Sequence, residues 1–282
     1  MTQTAIDEII HRALAEDAPW GDATSEAFLP ETAHAAATLV PREPGVLSGI
    51  DVFARVFELV DPDVVVELEA GDGFAFEPGM TLARVSGNAR SVLRAERIAL
   101  NLCQRMTGVA TLTSRYVAEV AGTDARIVDT RKTTPGMRIL ERQAVRDGGG
   151  HNHRFSLSDA VLAKDNHLAV LAARGVSIGE AIRAARRRLP HTMRIEVEVD
   201  RIDQIEPVVS AGVDAIMLDN FTLEQLREGV RIVAGRAVVE ASGGVDLDTV
   251  GDIARTGVDV ISVGALTHSV RAIDLGLDLA VS

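Results

Sequence analysis

After Gly122 the chain settles into a single rhythm. Short apolar segments at 126–129, 159–163, 194–199, 214–218, 237–241 and 259–263 alternate with helical patterns at 136–147, 177–189, 201–210, 222–234 and 246–255. Parallel strands need a long crossover between them, usually a helix, so this alternation predicts parallel βαβ units. Six such units predict either a barrel, complete or incomplete, or an open doubly wound sheet.

Polar residues gather at one end of these strands. Asp129-Thr130-Arg131-Lys132 follows the first and Lys164-Asp165-Asn166-His167 the second. Glu196 and Glu198 lie two apart in the third, so both face one side of it. Asp219-Asn220 follows the fourth, Ser242-Gly243-Gly244 the fifth and Gly264 the sixth. Strand ends are often polar simply because loops are. Repetition at six successive ends favours a site, because barrel enzymes assemble theirs at the C-terminal ends of the strands.

The region before this rhythm reads differently. Residues 5–15 carry a helical pattern, Pro19 to Thr24 a loop, 49–60 a helix, and 35–40, 64–68 and 81–85 short strands. An α+β layer is expected here. Residues 88–120 form a long helical pattern with a possible break at Gly108, and 270–281 an apolar, helix-like tail that could return to the first domain.

Composition narrows the function. The 282 residues carry a net charge of -12, which argues against a general nucleic-acid or anionic-membrane binder. The single cysteine, Cys103, excludes an internal disulfide framework and a zinc site built on several thiolates. The N-terminus lacks the basic start and apolar core of a signal peptide, and no long uncharged apolar run exists, so a cytoplasmic location is expected.

Against that acidic background, residues 131–167 reverse the sign. Seven cations (Arg131, Lys132, Arg138, Arg142, Arg146, Arg154 and Lys164) face four acids, with three histidines in the same stretch. Arg138, Arg142 and Arg146 are four apart and read as a solvated helix face. Arg131, Lys132, Arg154 and Lys164 sit at strand ends or in a glycine-flanked loop, where an anionic ligand explains them better. The loop Gly148-Gly149-Gly150 presents His153 and Arg154, while His151 reads as structural. Ser242-Gly243-Gly244 before a helix near Asp246, completed by Gly264-Ala265, offers a phosphate cup, although the glycines serve tight turns equally well. Glu198 and Asp219 are suited to magnesium, ribose hydroxyls or developing positive charge, or to pairing with the local cations.

Taken in order, Asp129 to Arg138, Gly148 to Arg154, Leu162 to His167, Glu196 to Asp200, Leu218 to Phe221, Glu240 to Gly244 and Val263 to Ser269 resemble the quinolinate phosphoribosyltransferases. Gly21 to Thr24 and Ala95 to Leu102 fit the same family, so the resemblance covers nearly the whole chain. Met137, Ala163 and Arg142-Gln143 depart from its usual residues, none at a position with a catalytic role.

The resemblance implies an incomplete, open α/β barrel of TIM-like type over 106–267. It also implies an N-terminal α+β sandwich domain over 1–105, joined by the tail 268–282. Members are dimers or larger, with sites shared between chains. By resemblance, Arg97 reaches the partner's site, and Arg131, His153, Arg154 and Lys164 grip the two carboxylates of quinolinate. Lys132, Glu198 and Asp219 handle phosphoribosyl pyrophosphate with Mg2+, while Ser242, Gly243, Gly264 and His268 cradle its 5-phosphate. The expected product is nicotinate mononucleotide for NAD biosynthesis. A paralogue linked to molybdenum transport, a Schiff-base aldolase using Lys132 or Lys164, and a non-catalytic phosphometabolite-binding protein are the rival expectations.

Overall fold

The computed structural model describes residues 3–280. In chain order the elements are α1 (Gln3–Asp17), α2 (Ala23–Phe28), β1 (His34–Pro41), β2 (Gly45–Val46), α3 (Ile50–Val60), β3 (Val65–Leu68), β4 (Ala75–Phe76), β5 (Ala83–Asn88) and α4 (Ala89–Glu119). There follow β6 (Arg126–Val128), α5 (Arg138–Asp147), β7 (Val161–Ala163), α6 (Asp165–Ala172), α7 (Ile178–Arg188), β8 (Ile195–Val199), a 3-10 turn and α8 (Ile205–Val209). The chain ends with β9 (Ala215–Asp219), α9 (Leu223–Val233), β10 (Val238–Ser242), α10 (Val250–Ala254), β11 (Val260–Ser262), α11 (Ala265–His268) and β12 (Leu275–Ala280). No described helix is long and apolar enough to cross a membrane. The chain divides into two compact units: one of residues 1–114, 133–149 and 266–282, the other of 115–132 and 150–265.

The first unit is built on an antiparallel sheet in the order β12-β1-β5-β3. Along β1 the inward residues Ala35, Ala37 and Leu39 are buried and their neighbours are more exposed, the two-residue period of a half-covered strand. Phe53 and Phe57, one turn apart on α3, meet edge to face at 5.0 Å within this core. A buried ion pair ties the unit together. Glu141 is fully buried and takes hydrogen bonds from Arg105 Nη2 (2.8 Å), Thr134 Oγ1 (2.8 Å) and the Thr134 N–H (3.0 Å).

Four expectations need correction in this unit. The tail is extended, not helical: Leu275, Leu277 and Leu279 alternate with Gly276 and Asp278, and pairing with β1 satisfies that period-two pattern. Val281 lies outside the described residues. The helix over 89–119 runs unbroken through Gly108. A Cβ there would lie 2.2 Å from the Arg271 carbonyl oxygen, so this glycine admits a neighbouring backbone instead of ending the helix. Ala23 and Thr24, read as the end of a loop, instead open the short helix α2 because Asp22 accepts the N–H groups of Thr24 (3.0 Å) and Ser25 (3.2 Å). Residues 133–149, read as part of the barrel, fall in the first unit.

The second unit is a six-stranded sheet, parallel throughout, in the order β6-β11-β10-β9-β8-β7. The strand earliest in sequence sits beside the last, as in a closing barrel, but β6 and β7 do not pair. The barrel is therefore open at that seam, as the family resemblance implies. The edge of β6 at the seam is met by His151, whose N–H donates to the Ile127 carbonyl (2.8 Å) and whose carbonyl accepts from the Asp129 N–H (3.1 Å). Its side chain is exposed, in keeping with a structural role. Helix α6 begins directly after Lys164 and was not expected from the pattern. It is only eight residues long and its apolar residues, Leu168 to Ala172, run consecutively instead of at helical spacing.

Candidate active site

Register in the parallel sheet sets which interior side chains stand level with one another. Glu196 stands beside Leu162, Met217 beside Glu198 and Glu240, and Asp219 beside Ser242. Since side chains two apart share a face, all of these point to one side of the sheet with Lys164: Leu162 and Glu196 lie deepest, Glu198, Met217 and Glu240 are level with one another, and Asp219 and Ser242 stand nearest the strand ends. Lys164, Glu198, Asp219 and Ser242 line a cleft of about 580 Å³ together with Leu162, Met217 and Glu240, and Arg131, Lys132, His153, Arg154 and Gly243 also line it. Nine of the twelve expected site residues thus meet in one place.

The cations stand close together. Burial lowers the pKa of Arg154, and the charge of Arg131 lowers it further, while Glu196 and Asp159 act in the opposite direction. Arg131 carries a buried Nε with no hydrogen-bond partner. A buried guanidinium N–H left unpaired is costly, and an incoming anion would satisfy it. Arg154 is anchored through Nη1 to the Ala160 carbonyl at 2.8 Å. Lys164 Nζ is paired with Glu198 Oε2.

Bordering the cleft is a cluster the sequence reading did not assemble. His153 Nε2 is 3.2 Å from Glu196 Oε2 and 3.3 Å from Glu240 Oε2. The Arg154 N–H donates to His153 Nδ1 at 2.7 Å, and the His153 N–H donates to Asp129 Oδ1 at 2.7 Å. Asp129 is fully buried and also accepts from Asn152 Nδ2 at 2.7 Å. Burial opposes charge on the imidazole while the hydrogen bonds and charges of Glu196 and Glu240 favour it, but a second ring proton would have to sit on Nδ1, where the Arg154 N–H points, and that contact keeps the ring neutral. Glu196 is itself raised, by burial first and then by Glu240, against the pull of His153. A charged residue inside an otherwise apolar strand was the available signal for Glu196 and Glu240.

The turn after β10 is shaped by Asn220. Its φ is +58°, its N–H donates to the Ser242 carbonyl (2.8 Å), and its Nδ2 donates to Asp219 Oδ2 (2.7 Å). Gly243 has φ +89°, and a Cβ there would lie 2.2 Å from Asn220 Oδ1. The glycine is therefore required both by its left-handed backbone and by the side chain that orients Asp219. The helix expected near Asp246 starts later, at Val250, because Asp246 closes a turn by accepting from the Thr249 N–H (2.9 Å) and hydroxyl (2.8 Å).

Three expected residues do not line the cleft. Gly264 is half-buried after β11. Arg97, on α4, and His268, on α11, are exposed residues of the first unit.

Known proteins match the chain along its length. Residues 22–107 match the family model for the N-terminal domain of quinolinate phosphoribosyl transferase, and residues 109–278 that for its C-terminal domain. The carboxylating nicotinate-nucleotide pyrophosphorylase of Mycobacterium leprae is 43% identical, over 98% of this chain and 97% of the relative. The probable enzyme of the same name from Bacillus subtilis is 37% identical, over 100% and 96%. The crystal structure of NadC from Streptococcus pyogenes superposes with a TM-score of 0.95 at 39% identity, covering 99% of this chain and 98% of that one.

Proposed function

Since the chain belongs to the quinolinate phosphoribosyltransferase family, we propose that it transfers phosphoribosyl from phosphoribosyl pyrophosphate to quinolinate with loss of carbon dioxide, forming nicotinate mononucleotide for NAD biosynthesis. The observation that carries this reading is the cationic cleft, above all the buried, unpaired Nε of Arg131 among Arg154, Lys164 and Lys132. Quinolinate is a planar dianion and phosphoribosyl pyrophosphate a polyanion. A site for both needs fixed cations, and Arg suits the flat carboxylates.

Arg131, Arg154 and Lys164 hold the pyridine carboxylates, with His153 beside them. Lys132 and Asp219 face the phosphoribosyl group, and Ser242 and Gly243, with Gly264 and His268, receive its 5-phosphate. The pyridine nitrogen attacks the anomeric carbon and pyrophosphate departs with the bonding pair. Glu198 and Asp219 stabilise the positive charge that grows on the ribose. The pyridinium then draws in the electron pair of the C2–carboxylate bond, carbon dioxide leaves, and C2 takes up one proton. Positioning and charge complementarity carry these steps, with no covalent nucleophile.

Glu198 and Asp219 also suit Mg2+, since both offer hard carboxylate oxygens in the same cleft, and a magnesium ion accepts one or two carboxylates when substrate phosphates and water complete its shell. Bound there, the ion would neutralise the pyrophosphate as it leaves. A homodimer or larger assembly is part of the proposal, in which Arg97, exposed on α4, would serve a partner's cleft. A cytoplasmic setting accords with the bacterial relatives.

The test is pyrophosphate release from purified protein with phosphoribosyl pyrophosphate and Mg2+, comparing quinolinate with nicotinate. Release with quinolinate alone, accompanied by carbon dioxide, is expected. Release with neither from a folded protein would sink the reading.

A further inference from the structure

The tautomer of His153 is legible from its neighbours. The Arg154 N–H donates to Nδ1 at 2.7 Å, which requires a lone pair on Nδ1. The ring proton is therefore on Nε2, facing Glu196 Oε2 and Glu240 Oε2 at 3.2 and 3.3 Å. The three groups bring their ligand atoms within 4.8 Å of one another, as a metal site would. A metal on Nε2 would drive the proton to Nδ1, where the Arg154 amide already points, so the cluster is not built for an ion. The same reasoning changes the part His153 plays. Both ring nitrogens are engaged within the protein, and neither is left to donate to a pyridine carboxylate.

We propose that Glu196 and Glu240 are positioning residues: they lock the His153 ring in one tautomer and orientation, and its Nδ1 in turn fixes the main chain of Arg154. This deepens the functional reading above and rests on it, since Arg154 is there a quinolinate ligand. The geometry makes Arg154 a pre-set arm. Its main chain is held by the ring and its guanidinium by the Ala160 carbonyl. The loop below is secured by the fully buried Asp129, which accepts the His153 N–H. Holding a charged fork in place before the ligand arrives saves the ordering cost of binding, so the cluster acts on quinolinate affinity without touching quinolinate.

Two measurements test this. The first is the 15N spectrum of the His153 ring in ligand-free protein near neutral pH. A protonated Nε2 with an unprotonated Nδ1 is expected; a ring protonated on both nitrogens, or on Nδ1 alone, overturns the proposal. Because no substrate is present, the spectrum reads the ring even if the wild-type chain failed to turn over quinolinate, a failure that would strike the functional reading instead. The second is steady-state kinetics of Glu240→Ala and Glu240→Gln. The alanine variant should raise the quinolinate KM by about tenfold and leave the phosphoribosyl pyrophosphate KM within about twofold. The glutamine variant keeps an acceptor for Nε2–H and should recover to within about threefold of wild type. Equal shifts of both KM values, or no recovery with glutamine, would reduce Glu240 to a packing residue.

Discussion

Lys164 and Glu198 form an ion pair between the ends of the adjacent parallel strands β7 and β8. One is assigned to quinolinate and the other to the phosphoribosyl group, so before substrate arrives each compensates the other's charge. Lys164→Ala should raise the quinolinate KM about tenfold or more, and Glu198→Gln should lower kcat by roughly ten- to a hundredfold. Because each substitution leaves the other group unpaired, the double variant should lose less than the product of the single losses. Strictly multiplicative effects in a kinetic double-mutant cycle would contradict the pairing.

Arg131 is expected to tolerate no other cation. Its buried Nε has no partner in the protein, and lysine has neither that donor nor a planar fork. Arg131→Lys should lower kcat/KM for quinolinate by about tenfold or more, with the fold retained by circular dichroism. A change of less than about threefold would mean that charge alone suffices there.

Gly243 is constrained by a side chain as well as by its backbone. Gly243→Ala places a methyl against Asn220 Oδ1 and displaces the amide that orients Asp219. We expect a fall in kcat and a higher KM for phosphoribosyl pyrophosphate, together with a loss of thermal stability of about 1 kcal/mol or more from the alanine forced into a left-handed backbone. Kinetics indistinguishable from wild type would show that Asp219 does not depend on Asn220.

The pH dependence of stability has an identifiable contributor in the first unit. Burial raises the Asp72 carboxyl to about 6, with Asp147 and Asp51 adding repulsion, against the N–H of Ile50 (3.0 Å) and the amide of Gln143 (2.9 Å). A carboxyl whose folded pKa exceeds its unfolded value binds its proton more tightly when folded. Its contribution is therefore fully present at acid pH and is lost as pH rises through about 6. Asp72→Asn keeps an acceptor for Ile50 and removes the charge. Thermal melts should show it more stable than wild type by a few degrees at pH 8, a gain that shrinks as pH falls below about 6 and is gone below the ordinary carboxylate value of 3.8.

The strand–helix rhythm after Gly122 was legible because each unit carries its own local signal. The strand-end residues that meet in the cleft could be listed from that rhythm alone. The tail was misjudged because a segment rich in leucine and alanine favours a helix in isolation, and only pairing with β1, more than two hundred residues away, makes it a strand. Glu196 and Glu240 stood in plain view within their strands. Their partner His153 reaches them through a loop, and no spacing in the sequence encodes that contact. Gly108 and Gly243 share a lesson: each looks like a chain breaker and is in fact a space made for a neighbour.

The hydrogen bonds of His151 along the free edge of β6 have one further consequence. The segment that carries His153 and Arg154 is in effect a one-residue seventh strand, zipped to the lip of the barrel. Its length is thereby set as firmly as the phase of a ladder. Adding or deleting a residue between Gly148 and Asn152 would not be absorbed as slack, as it would in an ordinary loop. It would act as a slip of register, turning His153 away from its glutamates and Arg154 away from the cleft in a single step.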